Sequence, residues 1–429
     1  MEIIRGIVGL VIFVAIAFAF SSNKKAVDWR LVGTGITLQI LFGLLVTKVE
    51  AVENAFNWIS QGFVTFLGFS RNGAEFIFGS LVTDMDSFGF IFAFQVLPTI
   101  IFFAAVSSGL YYLGVLQKIV YVIAFVMSKT MRLSGAESLS AAGNIFLGQT
   151  EAPLLVKPFI ERMTKSEIMC LMTGGMATMA GGVLAGYVTF LGGSDPAEQA
   201  KFAAYLLSAS IMNAPAAIVM SKILLPEAEP EKIDTELKVN NEKLGANLID
   251  AIANGTSDGL SLALNVGAML LSFIAIIYAI NGALGALGEI RDINEAIASS
   301  SGGQFDGLSL QYILGQIFRV FAALMGIDWS ESLIVGSLLG QKTVINEFIA
   351  YSNLAELKAN NLLSVKAIVV STYALCGFSN FSSIAIQIGG IGGLAPSRQS
   401  DLSKLGLKAL LGATIACMMT GTIAGMIVG

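Results

Sequence analysis

The sequence GQTEAP, from Gly148 to Pro153, interrupts an otherwise apolar segment that extends over residues 133–162. Neither half of this segment is long enough to cross a bilayer, which takes about 20 mostly apolar residues. A second segment, 331–352, is also apolar at both ends and polar in its middle, around residues 340–343 (GQKT). We therefore expect two re-entrant hairpins, hairpin 1 at about 133–162 and hairpin 2 at about 331–352.

Composition places most of the chain in a lipid bilayer. Of its 429 residues 55% are hydrophobic and 13% are charged, whereas soluble domains average roughly 25% charged residues. The formal net charge of −5 is small and unclustered, so nucleic acid is not an expected partner. Histidine is absent, which excludes serine–histidine hydrolases and histidine-based zinc sites. Cys170, Cys376 and Cys417 lie within apolar stretches and are interpreted as packing residues.

Eight further stretches are long and apolar enough to be spanning helices. They are residues 3–21, 30–47, 88–116, 167–191, 202–225, 260–284, 363–387 and 405–428. Two others, 50–67 and 308–327, carry apolar side chains at helical spacing with polar residues between them, which is typical of helices in the membrane interface. The sequence therefore predicts an all-α polytopic membrane protein with eight transmembrane helices, two re-entrant hairpins and interfacial helices.

Charges in the connecting segments predict the orientation in the membrane. Basic residues are concentrated in cytoplasmic loops, and Lys24, Lys25 and Arg30 place the first connection in the cytoplasm. The acidic connection 194–198 is then outside, and the long polar stretch 226–246 is cytoplasmic. We expect both termini to be extracellular or periplasmic, in a multi-pass protein of the plasma membrane, which is the inner membrane in a bacterium.

Each hairpin is followed by two predicted spanning helices, which gives two sets of matching length, 133–225 and 331–428. An odd number of crossings separates the sets, so they start from opposite faces of the membrane. Such an inverted repeat is the usual architecture of secondary transporters, with the substrate site near the midplane between the repeats. The residue-level similarity between the sets is weak, and the prediction depends on their order and length.

Glu151 and Glu347 are the carboxylates closest to the two interruptions. A carboxylate at membrane depth costs several kcal/mol unless it is paired or hydrated, and it indicates a functional site. The structural alternative is an interfacial glutamate, or an ion pair with Lys157 or Lys342. Because the backbone at a hairpin tip is not helical, its N–H and C=O groups are also available to a ligand.

Neutral polar residues accompany both glutamates. Asn144 and Thr178 offer the oxygen donors that, together with backbone carbonyls, suit a weakly held Na⁺. The sequence CGFSNFSS (376–383) is too polar for a lipid-facing surface. Its serines either bond to neighbouring helices or, together with Glu347, bind a polyhydroxylated ligand. In the second case Phe378 offers an apolar face to a sugar ring.

Five stretches carry a resemblance to a known family and span nearly the whole chain. They are FIFAFQVLPT (90–99), GQTEAP (148–153), ALNVGAM (263–269), KTV with NEF (342–348), and CGF with the following Asn380. In these stretches the chain resembles the concentrative nucleoside transporter family, close to its bacterial sodium-coupled members. Those members have serine at the position of Thr178; threonine keeps the hydroxyl and adds a methyl group that can alter sodium affinity.

The resemblance implies a homotrimer in which a fixed scaffold surrounds a moving transport domain. The scaffold would comprise residues 1–116 and 226–330, and the transport domain residues 117–225 and 331–429. The residues implied at the nucleobase are Gln149, Thr150 and Glu151, with Val183 and Leu262 packed against the base. Those implied at the ribose are Glu347, Asn380 and Ser383, with Phe378 against the sugar. The implied sodium ligands are Asn144, Thr178 and the carbonyls of Leu147 and Met179.

The leading hypothesis is sodium-coupled import of nucleosides, with uridine-like substrates favoured, by alternating access and without a cofactor beyond the coupling ion. The alternative within the same class is a proton-coupled nucleoside symporter, in which a carboxylate carries the proton. A membrane enzyme is disfavoured because histidine and a convincing metal-ligand cluster are missing. A channel would need a continuous polar pathway.

Overall fold

The computed structural model describes residues 2–193, 195–240 and 245–428, and this described chain consists of helices joined by turns, without strands. The all-α prediction is confirmed. Of the predicted loops, Ser194 and residues 241–244 lie outside the described residues. Short 3₁₀ turns occur at Lys24–Ala26, Pro230–Lys232, Ile290–Asp292 and Pro396–Arg398.

The N-terminal part contains eight helices. They are α1 (Glu2–Ala19), α2 (Trp29–Lys48), α3 (Glu50–Phe78), α4 (Ser80–Thr83), α5 (Met85–Phe88), α6 (Phe92–Gln95), α7 (Leu97–Tyr112) and α8 (Val115–Met131). The predicted interfacial helix 50–67 is thus the first part of the longer α3, and α8 was not predicted. Most side chains of α3 are exposed, as expected for a helix at the border of the protein.

Hairpin 1 and the helices after it form the first set. Its members are α9 (Gly135–Asn144), α10 (Ala152–Leu155), α11 (Lys157–Ile160), α12 (Lys165–Ala177), α13 (Gly181–Gly192) and α14 (Pro196–Leu224). Ser134 begins α9 and Thr164 begins α12 with a capping box, in which each hydroxyl accepts the backbone N–H of a glutamate three residues later. The non-helical tip extends from 145 to 151, which overlaps the predicted interruption.

The connection to the second set contains α15 (Leu248–Glu289), α16 (Ile293–Ser300) and α17 (Leu310–Leu324). The 42-residue α15 extends the predicted helix 260–284 at both ends. It packs against α7 and leaves large apolar side chains such as Leu271 and Tyr278 exposed. An apolar surface of this kind is suited to lipid or to another protein subunit, because neither requires polar groups from the helix.

The second set has the same order of elements as the first. Its members are α18 (Trp329–Val344), α19 (Glu347–Ala359), α20 (Val365–Ala374), α21 (Phe381–Leu394) and α22 (Gln399–Val428). Helices α17 and α18 pack against each other and are bent by 117° at the turn between them. In both sets a two-limbed hairpin is followed by a helix with an internal break and then by one long helix.

The interruption of hairpin 2 was predicted at the wrong place. Helix α18 continues through residues 340–343 to Val344, and the break lies at residues 345–346. Tertiary contacts satisfy the polar residues that suggested the earlier break, because Gln341 donates to the Ser337 hydroxyl at 2.9 Å and Lys342 reaches carbonyls near the end of α20. Asn346 then begins α19 by accepting the Ile349 N–H at 3.0 Å.

Two predicted spanning helices are broken in their middle. The predicted helix 167–191 is interrupted at residues 178–180, and the predicted helix 363–387 is interrupted at residues 375–380. Seven stretches of the described chain remain long and apolar enough to cross a membrane, and the short α20 and α21 are not among them. The membrane-protein class is confirmed, and the number of crossings stays a prediction.

Candidate functional site

The breaks of the two sets lie directly against each other in the buried core. Gly377 has φ +108°, and an added Cβ there would lie 2.2 Å from the Ala177 carbonyl oxygen, so only glycine fits. The Asn213 amide donates to the carbonyls of Ala177 at 2.7 Å and Cys376 at 3.2 Å. The Cys417 thiol donates to the same two carbonyls, at 3.5 and 2.8 Å. These four contacts, here called the cross-brace, join the end of α12 to the end of α20.

Glu347 is the centre of a buried cluster beside this crossing. Its side chain is 3% exposed, and both carboxylate oxygens accept hydrogen bonds. The Tyr187 hydroxyl donates to Oε1 at 3.0 Å, and the Asn380 amide donates to Oε2 at 2.8 Å. Because α13, α19 and the start of α21 each contribute one of these groups, the carboxylate is held from both sets of helices.

The cluster continues from Asn380 to the tip of hairpin 1. Asn380 Oδ1 caps α21 by accepting the Ser383 N–H at 2.9 Å. The Ser383 hydroxyl accepts from Gln149 Nε2 at 3.1 Å, and Gln149 Oε1 accepts from Gln387 Nε2 at 3.2 Å. The polar network therefore consists of Tyr187, Glu347, Asn380, Ser383, Gln149 and Gln387, and four of these six residues were predicted from the sequence.

Sequence reasoning missed Tyr187 and Gln387. Both side chains are fully buried, and each lies in a helix that is otherwise apolar or small. A glutamine surrounded by isoleucine and glycine in the sequence IAIQIGG (384–390) is a signal that could have identified Gln387, because a buried amide requires partners. Tyr187 carries no comparable signal, since tyrosine is common in apolar helices.

Thr150 and Glu151 lie at the accessible edge of the hairpin 1 tip, and both side chains are exposed. Glu151 Oε2 accepts the Gly148 N–H at 2.9 Å, which fixes the carboxylate over its own turn. Thr150 approaches α21, where an added Cβ at Gly390 would lie 2.9 Å from its methyl carbon. Both residues are thus available to a ligand that also contacts the neighbouring Gln149, which belongs to the polar network.

The three residues predicted to make apolar contacts with the ligand differ in burial. Val183 and Phe378 are buried, at 3% and 9% exposure, whereas Leu262 is 39% exposed on α15. The structure does not bring Leu262 to the polar network, and its role stays a prediction. Phe348, next to Glu347, lines a cavity of about 710 Å³ between α15 and α19, which is within the roughly 300–1,000 Å³ of small-molecule sites.

Asn144 marks a second, separate site at the end of α9. The side chain is 1% exposed, and neither atom of its amide has a hydrogen-bond partner among the described residues. Leaving a buried polar group unsatisfied costs about 1–3 kcal/mol. The amide therefore indicates a ligand, and a cation would satisfy its oxygen.

Thr178 is the first residue of the break between α12 and α13, one helical turn after Gly174. Its hydroxyl donates to the Gly174 carbonyl at 2.8 Å, which leaves its oxygen lone pairs free, and an added Cβ at Gly174 would lie 3.1 Å from Asn144 Nδ2. The carbonyls of Leu147 and Met179 accept no hydrogen bond from the described residues. The Gly181 N–H donates to the Phe146 carbonyl at 3.1 Å and joins the hairpin tip to this break. The neutral oxygens fit a hard monovalent cation.

Family models cover most of the chain. The N-terminal model of the Na⁺-dependent nucleoside transporters matches residues 8–81, and the C-terminal model of the same family matches residues 205–425. The chain belongs to the Na⁺-dependent nucleoside transporter family. A model described as a nucleoside-recognition gate matches residues 93–194 of this transporter, a range that includes hairpin 1 and both halves of the broken helix after it.

Relatives of the transporter are found in bacteria and mammals. An uncharacterized transporter of Bacillus subtilis is 43% identical over the full length of both chains. The human sodium/nucleoside cotransporter 1 is 40% identical over 98% of this chain, which spans 63% of that relative's length. The family consists of transporters and not of enzymes, and its description names Na⁺ and no further cofactor.

Solved structures of a relative have the same fold. An inward-facing, substrate-bound structure of CNTnw has a TM-score of 0.90 at 38% identity, and it covers 100% of this chain and 98% of the other. A structure of a CNTnw variant described as an intermediate state has a TM-score of 0.91 at 38% identity. The resemblance inferred from the five sequence stretches is confirmed.

We expect Tyr187→Phe to raise the KM for nucleoside uptake about tenfold, because a hydrogen bond to a charged group contributes about 1.5–3 kcal/mol. Without the hydroxyl, Glu347 loses the donor that orients Oε1. Initial uptake rates in proteoliposomes measure the effect. Tyr121→Phe, on the exposed side of α8, is the matched control and should leave the KM unchanged. An unchanged KM in Tyr187→Phe would mean that the tyrosine only packs.

Proposed function

We propose that this protein imports nucleosides together with Na⁺ by alternating access. The observation that carries the proposal is the position of the unpartnered Asn144 amide, beside a polar network that joins the tip of hairpin 1 to Glu347 of hairpin 2. The same helices and hairpins would therefore carry both cargoes. The solute would bridge the two hairpins, and the ion would bind next to the tip of hairpin 1.

The nucleoside is proposed to replace internal hydrogen bonds of the network. Gln149, Thr150 and Glu151 face the base edge, and their amide, hydroxyl and carboxylate match the donors and acceptors of a pyrimidine such as uridine. The ribose hydroxyls donate to Glu347 and bond to Asn380 and Ser383, because a carboxylate accepts from neighbouring hydroxyls with both oxygens. The apolar contacts of the nucleoside are assigned to Val183, Leu262 and Phe378.

Sodium is proposed to bind Asn144, Thr178 and the carbonyls of Leu147 and Met179. These groups belong to the tip of hairpin 1 and to the break after it, so the ion fixes the position of one relative to the other. Gln149, two residues after Leu147, is then held in place for the base. Sodium binding therefore lowers the cost of ordering the nucleoside site, which couples the two affinities.

The moving part is assigned to residues 117–225 and 331–429, and the scaffold to the remainder. This division rests on the mutual packing of α12, α14, α20 and α22. The exposed apolar face of α15 is assigned to the interface of a homotrimer within the bilayer. Both termini are placed on the extracellular or periplasmic side of the plasma membrane, following the distribution of basic residues.

Uptake of radiolabelled uridine into proteoliposomes tests the proposal. We expect accumulation above equilibrium when an inward Na⁺ gradient is imposed, and none when choline replaces Na⁺ at the same ionic strength. The proton gradient is collapsed separately with an uncoupler. Accumulation that survives sodium removal but not the uncoupler would assign the coupling to protons. Uptake that follows neither gradient would contradict symport.

A further inference from the structure

Lys342 is a buried cation that the proposed mechanism does not use. Its side chain is 2% exposed, and Nζ donates to the carbonyls of Ala374 at 2.9 Å and Cys376 at 3.3 Å. No carboxylate of the described residues lies within 4.0 Å of Nζ. The ammonium is therefore held by backbone oxygens, as a bound metal cation would be, and not by an ion pair.

The position of these carbonyls explains why a cation is stable there. Ala374 is the last residue of α20, and Cys376 follows it in the break. The last carbonyls of a helix have no intrahelical partner and carry the negative end of the helix dipole. Lys342 itself lies in the last turn of α18, so the ammonium is close to the ends of two helices at once. An unpaired charge buried without such partners would be strongly unfavourable.

The corresponding place in the first set is the proposed sodium site. There the hairpin limb is α9, which ends at Asn144, and the broken helix is α12, which ends at Ala177. Limb and broken helix pack against each other in both sets, α9 on α12 and α18 on α20. The first set offers a neutral amide without a partner at this place, whereas the second set offers an ammonium.

Each set also has one glutamate just after the tip of its hairpin, Glu151 in the first and Glu347 in the second. A cation near each of these glutamates would lower the cost of placing its charge at membrane depth. In the second set Lys342 supplies this charge permanently. In the first set the sodium ion proposed above would supply the charge only while it is bound.

We propose that the Lys342 ammonium occupies a second monovalent-cation site, the counterpart of the sodium site in the other repeat, and thereby keeps a second ion out. The inference rests on the proposed sodium coupling, because it identifies the first site as a sodium site. It assigns to Lys342 a role as a tethered ion that is never released. If the ammonium is removed and the carbonyl oxygens around it are kept, free Na⁺ should bind in its place.

The test is Lys342→Ser, which removes the charged stem and leaves a hydroxyl beside the carbonyls of Ala374 and Cys376. We expect the Hill coefficient for Na⁺ in uridine uptake to rise from about 1 to above about 1.5, since its upper limit is the number of sites. In detergent, the increase in Tm between choline and saturating Na⁺ should be roughly twice that of the wild type, because each site adds its own linkage contribution. Lys404→Ser, at an exposed lysine on α22, should match the wild type.

The outcomes separate this inference from the proposed function. If the Tm and the uptake rate of the wild type do not depend on Na⁺, the proposed coupling is refuted. A wild type that responds to Na⁺, together with a folded Lys342→Ser variant that responds no more strongly, would overturn the inference alone. If Lys342→Ser does not fold, Lys342→Met decides, because its stem fills the space without a charge. A tethered ion predicts that Lys342→Met is strongly destabilised and not rescued by Na⁺, and wild-type stability of that variant would show that Lys342 only packs.

Discussion

Glu347→Gln should lower the affinity for nucleoside about a hundredfold or more while leaving the protein folded. The glutamine keeps the size of the side chain but turns one acceptor oxygen into an NH₂ group. That group must face either the Tyr187 hydroxyl or the Asn380 amide, which both donate to the carboxylate. Hydrogen bonds to a charged group contribute about 1.5–3 kcal/mol each, and a loss of about 2.7 kcal/mol corresponds to a factor of 100.

Calorimetric titration of uridine into the purified variant measures this loss, and uptake in proteoliposomes should fall in parallel. Glu356→Gln is the matched control, because Glu356 is exposed on the same helix, α19. Its affinity should equal that of the wild type. A Glu347→Gln variant that binds uridine normally would remove Glu347 from the nucleoside site and leave it as a structural group.

Asn144→Ala should instead weaken the response to sodium. The variant loses the one amide in the proposed sodium site, and the loss of a ligand worth about 1–3 kcal/mol raises the half-saturating Na⁺ concentration about 5- to 150-fold. Uptake at low Na⁺ should then be lost, whereas uptake at saturating Na⁺ should recover, because the polar network is untouched. The expected pattern is thus the reverse of that for Glu347→Gln, whose defect Na⁺ cannot repair.

Sodium dependence of uptake and of Tm, measured side by side, tests this expectation. Asn57→Ala, at an exposed asparagine on α3, serves as the control for an amide removed elsewhere. Because the wild-type amide has no partner within the described protein, its removal should not destabilise the sodium-free state. A lower Tm in choline would therefore mean that Asn144 supports the fold, and an unchanged sodium response would exclude it as a ligand.

The sequence predicted the helical membrane fold and most members of the polar network because both depend on residue type. Glu347, Asn380 and Gln149 are too polar for lipid, so their presence in apolar segments already indicated a buried polar site. The breaks at 178–180 and 375–380 were not predicted, since hydropathy treats a small residue in an apolar stretch as part of a helix. The need for glycine at position 377 could not be predicted from the sequence, because it follows from the Ala177 carbonyl that packs against this residue.

The prediction of the break in hairpin 2 was wrong for the opposite reason. Gln341 and Lys342 are polar and therefore suggested non-helical backbone, but their partners come from Ser337 and from α20. A polar residue is compatible with a buried helix whenever another element supplies its hydrogen bonds. Those partners are distant in sequence or lie on the same helix face, so local pattern reasoning does not find them.

The cross-brace bears on uncoupled transport, in which one cargo crosses the membrane without the other. Asn213 and Cys417 each hold the carbonyls of Ala177 and Cys376 together, so the ends of α12 and α20 keep a fixed separation. We expect the proposed sites for ion and solute, which adjoin these two ends, to move together and to open to the same compartment. On this proposal the joined ends oppose slippage, in which one cargo faces the cytoplasm while the other still faces outward, and less of the energy stored in the ion gradient is dissipated by that route.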